Sequence, residues 1–128
     1  MPGSTADRVS SVRRPVNKAA PYVVTLGTAG GPRWWRDSEG AVPRSGIATA
    51  VVGDAVYLVD CGDGAGGNLA RAGLDFNALR GVFITHLHSD HVAGLAPLLM
   101  FSLYEMALCR VPVQIFGPGN RSGYTGYP

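Results

Sequence analysis

All three histidines of this 128-residue chain, His86, His88 and His91, fall in the single stretch ITHLHSDH, with Asp90 among them. On extended backbone, alternate side chains point to the same side. His86 and His88, two apart at the end of a strand, can therefore aim at one point. Asp90 and His91 follow where the chain turns into a helix, and can address a second point nearby. Imidazole and carboxylate donors suit zinc, iron or manganese. Two such ions held about 3.5–4 Å apart can share one water and stabilise both the attacking and the leaving oxygen of a hydrolysis. The plainer alternative is three unrelated histidines at a strand-to-helix loop. Four potential ligands spaced H-x-H-x-D-H, after an apolar β-branched run and before a Gly-Leu helix, favour the metal.

A second group of chemically able residues lies in GPRWWRDSEGAVPRSG. Arg33, Arg36 and Arg44 offer fork-shaped donors for phosphate or sulfate, and Trp34 and Trp35 offer flat faces for a base or an apolar leaving group. The alternative is an amphipathic lid whose indoles pack on the core and whose arginines face water. Cys61 reads as a small buried hydrophobe, with a role as ligand the lesser alternative. Two cysteines, Cys61 and Cys109, make no disulfide framework.

The elements that must position these residues alternate strand and helix. Tyr22–Leu26 is a β-branched and aromatic run, and residues 28–45 form a loop long enough to be functional. The runs 46–52 and 55–60 read as a hairpin turning at Gly53-Asp54. A Gly-rich turn over 62–67 leads into a short helix at 68–72, with another helical turn at 75–79. A buried strand is expected over 81–85. The histidine stretch follows it, then one helix over 92–108, capped by Ser89 or Asp90, and a last strand over 111–116. The order βββαβαβ implies an α/β unit with a mixed sheet and helices on one face. Residues 1–21 and 119–128 are polar and unpatterned, and are expected to be flexible arms around a domain spanning 22–118.

The stretch VFITHLHSDHVAGL resembles the signature loop of the metallo-β-lactamase superfamily. LGTAGGP, AVYLVDCGDG and PVQIFGP are similar, in order and spacing, to that family's opening motif, its hairpin strand ending in an acid and glycine, and the strand after the motif helix. The resemblance implies the N-terminal half of an αββα sandwich, with His86 and His88 on one zinc ion and Asp90 and His91 on a second; Mn2+ or Fe2+ is an alternative. It also implies that Asp60 stands behind the metal loop, fixing the loop or a histidine tautomer, unless it is simply a turn residue. Asp90 could in addition carry a proton during turnover. The LGT opening, the Pro- and Arg-containing loop and the D-C-G element look most like the branch of ribonuclease Z, other phosphodiesterases and arylsulfatase-like hydrolases. A small anionic ester or RNA is then the expected substrate; a lactonase or other ester or amide hydrolase of the same fold is the alternative.

The family completes its site with ligands from a second half, and no histidine follows His91 here. The chain thus reads as incomplete, its site finished by a missing C-terminal half or a second chain, with homo-oligomers one route. A half-domain that binds metal weakly and hydrolyses nothing is the non-enzymatic alternative. Half a sandwich also leaves one apolar sheet face open, so self-association is expected. A net charge of +2 demands neither nucleic acid nor a membrane surface. The apolar stretch 92–109 is too short for a membrane span. Arg13-Arg14 is followed by Pro15 and Asn17 rather than an apolar run, so a cytoplasmic address is expected over twin-arginine export.

Overall fold

The computed structural model describes residues 20–36, 38–40, 44–106 and 111–119, without the side chains of Glu105 and Met106. The expected arms fall almost wholly outside these residues, as does Cys109. Strands β1 (Tyr22–Gly27), β2 (Ala48–Val52), β3 (Val56–Val59), β4 (Leu79–Phe83) and β5 (Gln114–Phe116) form one sheet in the order β1-β2-β3-β4-β5. The pairs β1–β2 and β2–β3 are antiparallel, and the pairs β3–β4 and β4–β5 are parallel. The sheet is mixed, as the sequence pattern requires.

Period-two alternation decides which face is buried. Leu26, Ala48, Ala50, Val52, Val56, Leu58 and Val82 form the core. Helix α1 (Ala65–Arg71) covers them with Ala65 and Leu69, and α3 (Leu95–Phe101) with Leu98. The other face carries Val23, Val51, Tyr57, Phe83 and Phe116, all exposed. Asn68 fastens α1 to the sheet side, its amide donating to the Leu26 carbonyl at 2.6 Å and to Ser45 Oγ at 2.7 Å.

Several element boundaries depart from expectation. The hairpin does not turn on two residues: Gly53 N–H donates to the Ala55 carbonyl, and no residue from Gly53 to Ala55 has a positive φ. β4 begins two residues early, and β5 is only three residues long. The helix expected over 92–108 is three short pieces, α2 (Ser89–Val92), α3 and α4 (Leu103–Met106). The cap of α2 is the backbone of His88, with no side-chain cap bond, rather than Ser89 or Asp90.

The breaks have a physical cause. An unbroken helix would pair Gly94 N–H with the Asp90 carbonyl. Here Asp90 O instead accepts from Ile47 N–H, and Gly94 N–H donates to the Cys61 carbonyl, both at 2.9 Å. The backbone bonds have been taken by the neighbouring loop. At the second break the Ser102 hydroxyl donates back to the Leu98 carbonyl, a contact that competes with helix continuation. Among the described residues no helix is long and apolar enough to cross a membrane.

Candidate metal centre

The site lies where β3 and β4 end side by side. Just past β3, Asp60 adopts a left-handed backbone, φ 59°, uncommon for a residue with a Cβ and tolerated best by Asp and Asn. Its amide donates to the Phe83 carbonyl at 2.8 Å, which anchors it to the end of β4. The residue is only 4% exposed, and its carboxylate is held by several polar contacts. Oδ1 accepts from the Thr85 amide at 2.8 Å, the Thr85 hydroxyl lies 3.0 and 2.9 Å from the two oxygens, and His91 Nδ1 is 2.7 Å from Oδ2. Burial alone would raise the Asp60 pKa, but the bonds from the Thr85 amide, His91 and the Thr85 hydroxyl together outweigh it and hold the carboxyl below its usual value.

The three imidazoles gather above this carboxylate. The His86 ring centroid is 4.5 Å from that of His88 and 4.0 Å from that of His91. Asp90 stands at their edge, Oδ2 3.5 Å from His91 Nε2. The same oxygen accepts the Gly31 amide at 2.6 Å; this bond, chiefly, lowers the Asp90 pKa. The four residues expected as ligands therefore lie close together. Convergence is another matter: among the described residues, no three His, Cys, Asp or Glu side chains form a ready metal-ligand group. The rings pack on one another and Asp90 leans toward Gly31. The donor set nonetheless suits a divalent ion, because the Asp60 carboxylate engages His91 Nδ1 and leaves Nε2 on the side of Asp90, 3.5 Å from its Oδ2. A carboxylate on the nitrogen away from the ion is what metal-ligating histidines usually show.

The D-C-G element straps the motif in place. Cys61 N–H donates to the His91 carbonyl at 2.7 Å, and Gly62 N–H to the Ile47 carbonyl at 2.9 Å. Glycine is required at this crossing: a Cβ on Gly62 would overlap the Asp90 carbonyl oxygen, and one on Gly94 the Gly62 carbonyl oxygen. Cys61 itself is fully buried in the core, and burial pushes its thiol up to about 11. It is packing, not a ligand.

The arginine-rich loop reaches the site from the side. A cavity of about 230 Å³ is lined by Arg33, Trp34, Arg44, Asp63, Ser89 and Asp90, among others. Arg33 sits over the Trp35 ring, 4.4 Å from its centroid, and Trp35 Nε1 donates to the Gly30 carbonyl at 2.6 Å. Arg44 donates to Thr28 Oγ1 at 3.1 Å. Arg36 donates to the Gly40 carbonyl within its own loop and, like Trp35, does not line the cavity. Three of the five residues singled out in this loop thus line the same cavity as Asp90; the other two bond within the loop. Thr85 and Asp63 carried no sequence signal as single residues, and Ser89 only that of a helix cap, although Thr85 could have been suspected as the last residue before the first motif histidine.

A five-stranded mixed sheet with helices on one face and an H-x-H-x-D-H loop at the strand ends defines the N-terminal portion of a metallo-β-lactamase fold of the ribonuclease Z type. Residues 48–118 match the family model described as anti-Pycsar protein Apyc1, and the chain belongs to that family. It is 43% identical over 76 residues to a ribonuclease Z of Mycobacterium sp. (strain KMS), a match covering 59% of this chain and 27% of that protein. Among solved structures it is similar to the short form of human tRNase Z, with a TM-score of 0.61 and 30% identity over 77% of this chain and 35% of the other. YhfI of Bacillus subtilis, a metallo-β-lactamase fold protein, has a TM-score of 0.60 at 24% identity, covering 76% of this chain and 37% of its own, and shows the fold alone. The match to the mycobacterial protein spans about a quarter of that relative's length.

Proposed function

We propose that this chain supplies the first half of the active site of a metal-dependent hydrolase acting on phosphodiester bonds. The observation that carries the reading is the packed trio His86, His88 and His91, backed by a buried carboxylate that holds His91 by Nδ1. His86 and His88 would hold one ion, Asp90 and His91 a second, with zinc the metal the donors suit best. Such ions would supply Lewis acidity toward a phosphoryl oxygen and a water acidic enough to give hydroxide near neutral pH.

The chain's own residues do the rest. Asp60 keeps the His91 Nε2 lone pair available. Asp90, at the edge of the imidazole trio, is placed to take or deliver a proton at its Oδ1. Arg33 and Arg44, on the wall of the cavity beside Asp90, would bind the phosphate oxygens, and Trp34, 75% exposed, would stack on the group attached to them. The relatives named ribonuclease Z and tRNase Z support phosphodiesters over sulfate esters or lactones and make RNA one candidate substrate. The remaining ligands would come from outside this chain.

The test is metal content after dialysis against trace zinc. The 128-residue chain is expected to retain about one ion, held by the histidine trio, and to lose it when His86 and His88 are both replaced by Ala. In a protein carrying the full fold, the same double replacement should abolish hydrolysis of bis(p-nitrophenyl) phosphate without unfolding the protein. Activity that survives it would sink the mechanism.

A further inference from the structure

Resting on the metal-site reading above, we infer that Thr85 is a positioning residue: its hydroxyl carries the influence of Asp60 to His86 and fixes that ring as the Nδ1–H tautomer, with Nε2 bare. The observation is a chain of short contacts. The Thr85 hydroxyl oxygen lies 2.9 and 3.0 Å from the two Asp60 oxygens and 3.0 Å from His86 Nδ1.

A hydroxyl has one proton and can donate it once. Were it given to His86 Nδ1, the Thr85 oxygen would face the carboxylate of the buried Asp60 with no proton between them, a repulsive contact. Given to Asp60, it forms a charge-assisted bond and leaves the Thr85 lone pairs toward His86. A ring nitrogen 3.0 Å from those lone pairs is bound only if it carries the proton. His86 is thereby Nδ1–H.

His91 reaches the same state by a shorter route, donating directly from Nδ1 to Asp60 Oδ2 at 2.7 Å. One carboxylate thus sets two imidazoles, the near one by contact and the far one through Thr85. The Thr85 amide, also bonded to Asp60, holds the relay in register. A histidine side chain in water favours the Nε2–H tautomer, so the arrangement has to be imposed, and both rings then offer Nε2 to whatever occupies the site.

The experiment is long-range 1H–15N NMR of the metal-free 128-residue chain, at a pH where the imidazoles are uncharged, for the wild type, Thr85→Val and Thr85→Ser. His86 and His91 should both be Nδ1–H in the wild type. Thr85→Val, which keeps the shape and removes the hydroxyl, should turn His86 toward Nε2–H and leave His91 unchanged; Thr85→Ser should restore the wild-type pattern. Zinc affinity should fall roughly 10- to 100-fold in Thr85→Val and recover in Thr85→Ser. A wild-type His86 already in the Nε2–H form would overturn the assignment even if the valine variant did not fold. So would a Thr85→Val spectrum matching the wild type. A wild-type chain with the expected tautomers but no zinc binding would remove the metal reading while leaving the role of Thr85 intact.

Discussion

Asp60 concentrates several tasks in one side chain: it ends a strand, accepts the Thr85 amide and hydroxyl, and fixes His91. Replacing it with Ala strips buried donors of their acceptor, which costs about 1–3 kcal/mol; urea denaturation should show a loss in that range. The pH dependence has a definite sign. The folded carboxyl titrates below its ordinary value of 3.8, so the unfolded state takes up the proton first as acid is added. The stabilisation is present above the ordinary value and is lost as pH falls through the folded one. Between pH 5 and the acid limb, the urea midpoint should therefore drop further in the wild type than in Asp60→Asn, which has no carboxyl to protonate. Equal drops would mean that Asp60 is not the group responsible. Its neighbour Cys61 gives a second residue-scale test. A buried thiol pushed up to about 11 is neither ionised nor reachable at pH 8. Peptide mapping after iodoacetamide should find Cys61 unmodified in the native chain and fully alkylated in denaturant; rapid native labelling would show that the D-C-G element opens.

Between elements, the geometry rests on where backbone bonds are exchanged. Two glycines with opposite expectations test this. Gly94→Ala drives a Cβ into the Gly62 carbonyl, and overpacking of this kind costs about 1–3 kcal/mol. Gly67 lies within α1, where a Cβ would meet only the tip of Arg71 at 3.9 Å, so Gly67→Ala should stabilise by roughly 0.5–1 kcal/mol. Thermal melts showing the same sign for both would refute the strap. The same exchange explains what was legible in the sequence. Strands with two-residue periodicity, β2 and β3 above all, could be read directly, and so could the motif, because H-x-H-x-D-H is local. The three-way break after Asp90 could not. It depends on Ile47 and Cys61 claiming bonds that a helix would otherwise make, and those partners are distant in sequence. The Thr85 relay was hidden for the same reason: its acceptor is 25 positions upstream. In the loop, Arg33, Trp34 and Arg44 line a cavity with Asp90, but residue type alone could not separate them from Trp35 and Arg36, whose partners lie within the loop.

At the scale of the molecule, the sheet has one face covered by helices and one open. On the open face, Phe83 stacks on Phe116 with centroids 4.8 Å apart and meets Tyr57 at 6.2 Å, and Val23 and Val51 extend the apolar surface across β1 and β2. These contacts cover the rings only in part: Tyr57, Phe83 and Phe116 all stay exposed. Contiguous apolar surface of this kind is rare on stable monomers, and each phenyl ring removed from solvent contributes about 1.5–3 kcal/mol toward association. The 128-residue chain on its own should therefore self-associate as its concentration rises, and sedimentation velocity should show it. Phe83→Lys combined with Phe116→Lys places charge where two such faces would meet and should return the chain to monomer, with the far-ultraviolet circular dichroism unchanged. Because both residues are exposed and lie outside the core cluster, zinc content per chain should not fall in that variant. A wild-type chain that stays monodisperse across concentrations would mean that the open face is not sticky. Loss of zinc in the lysine variant would instead mean that the face and the metal loop are coupled through β4, whose Phe83 carbonyl receives the Asp60 amide.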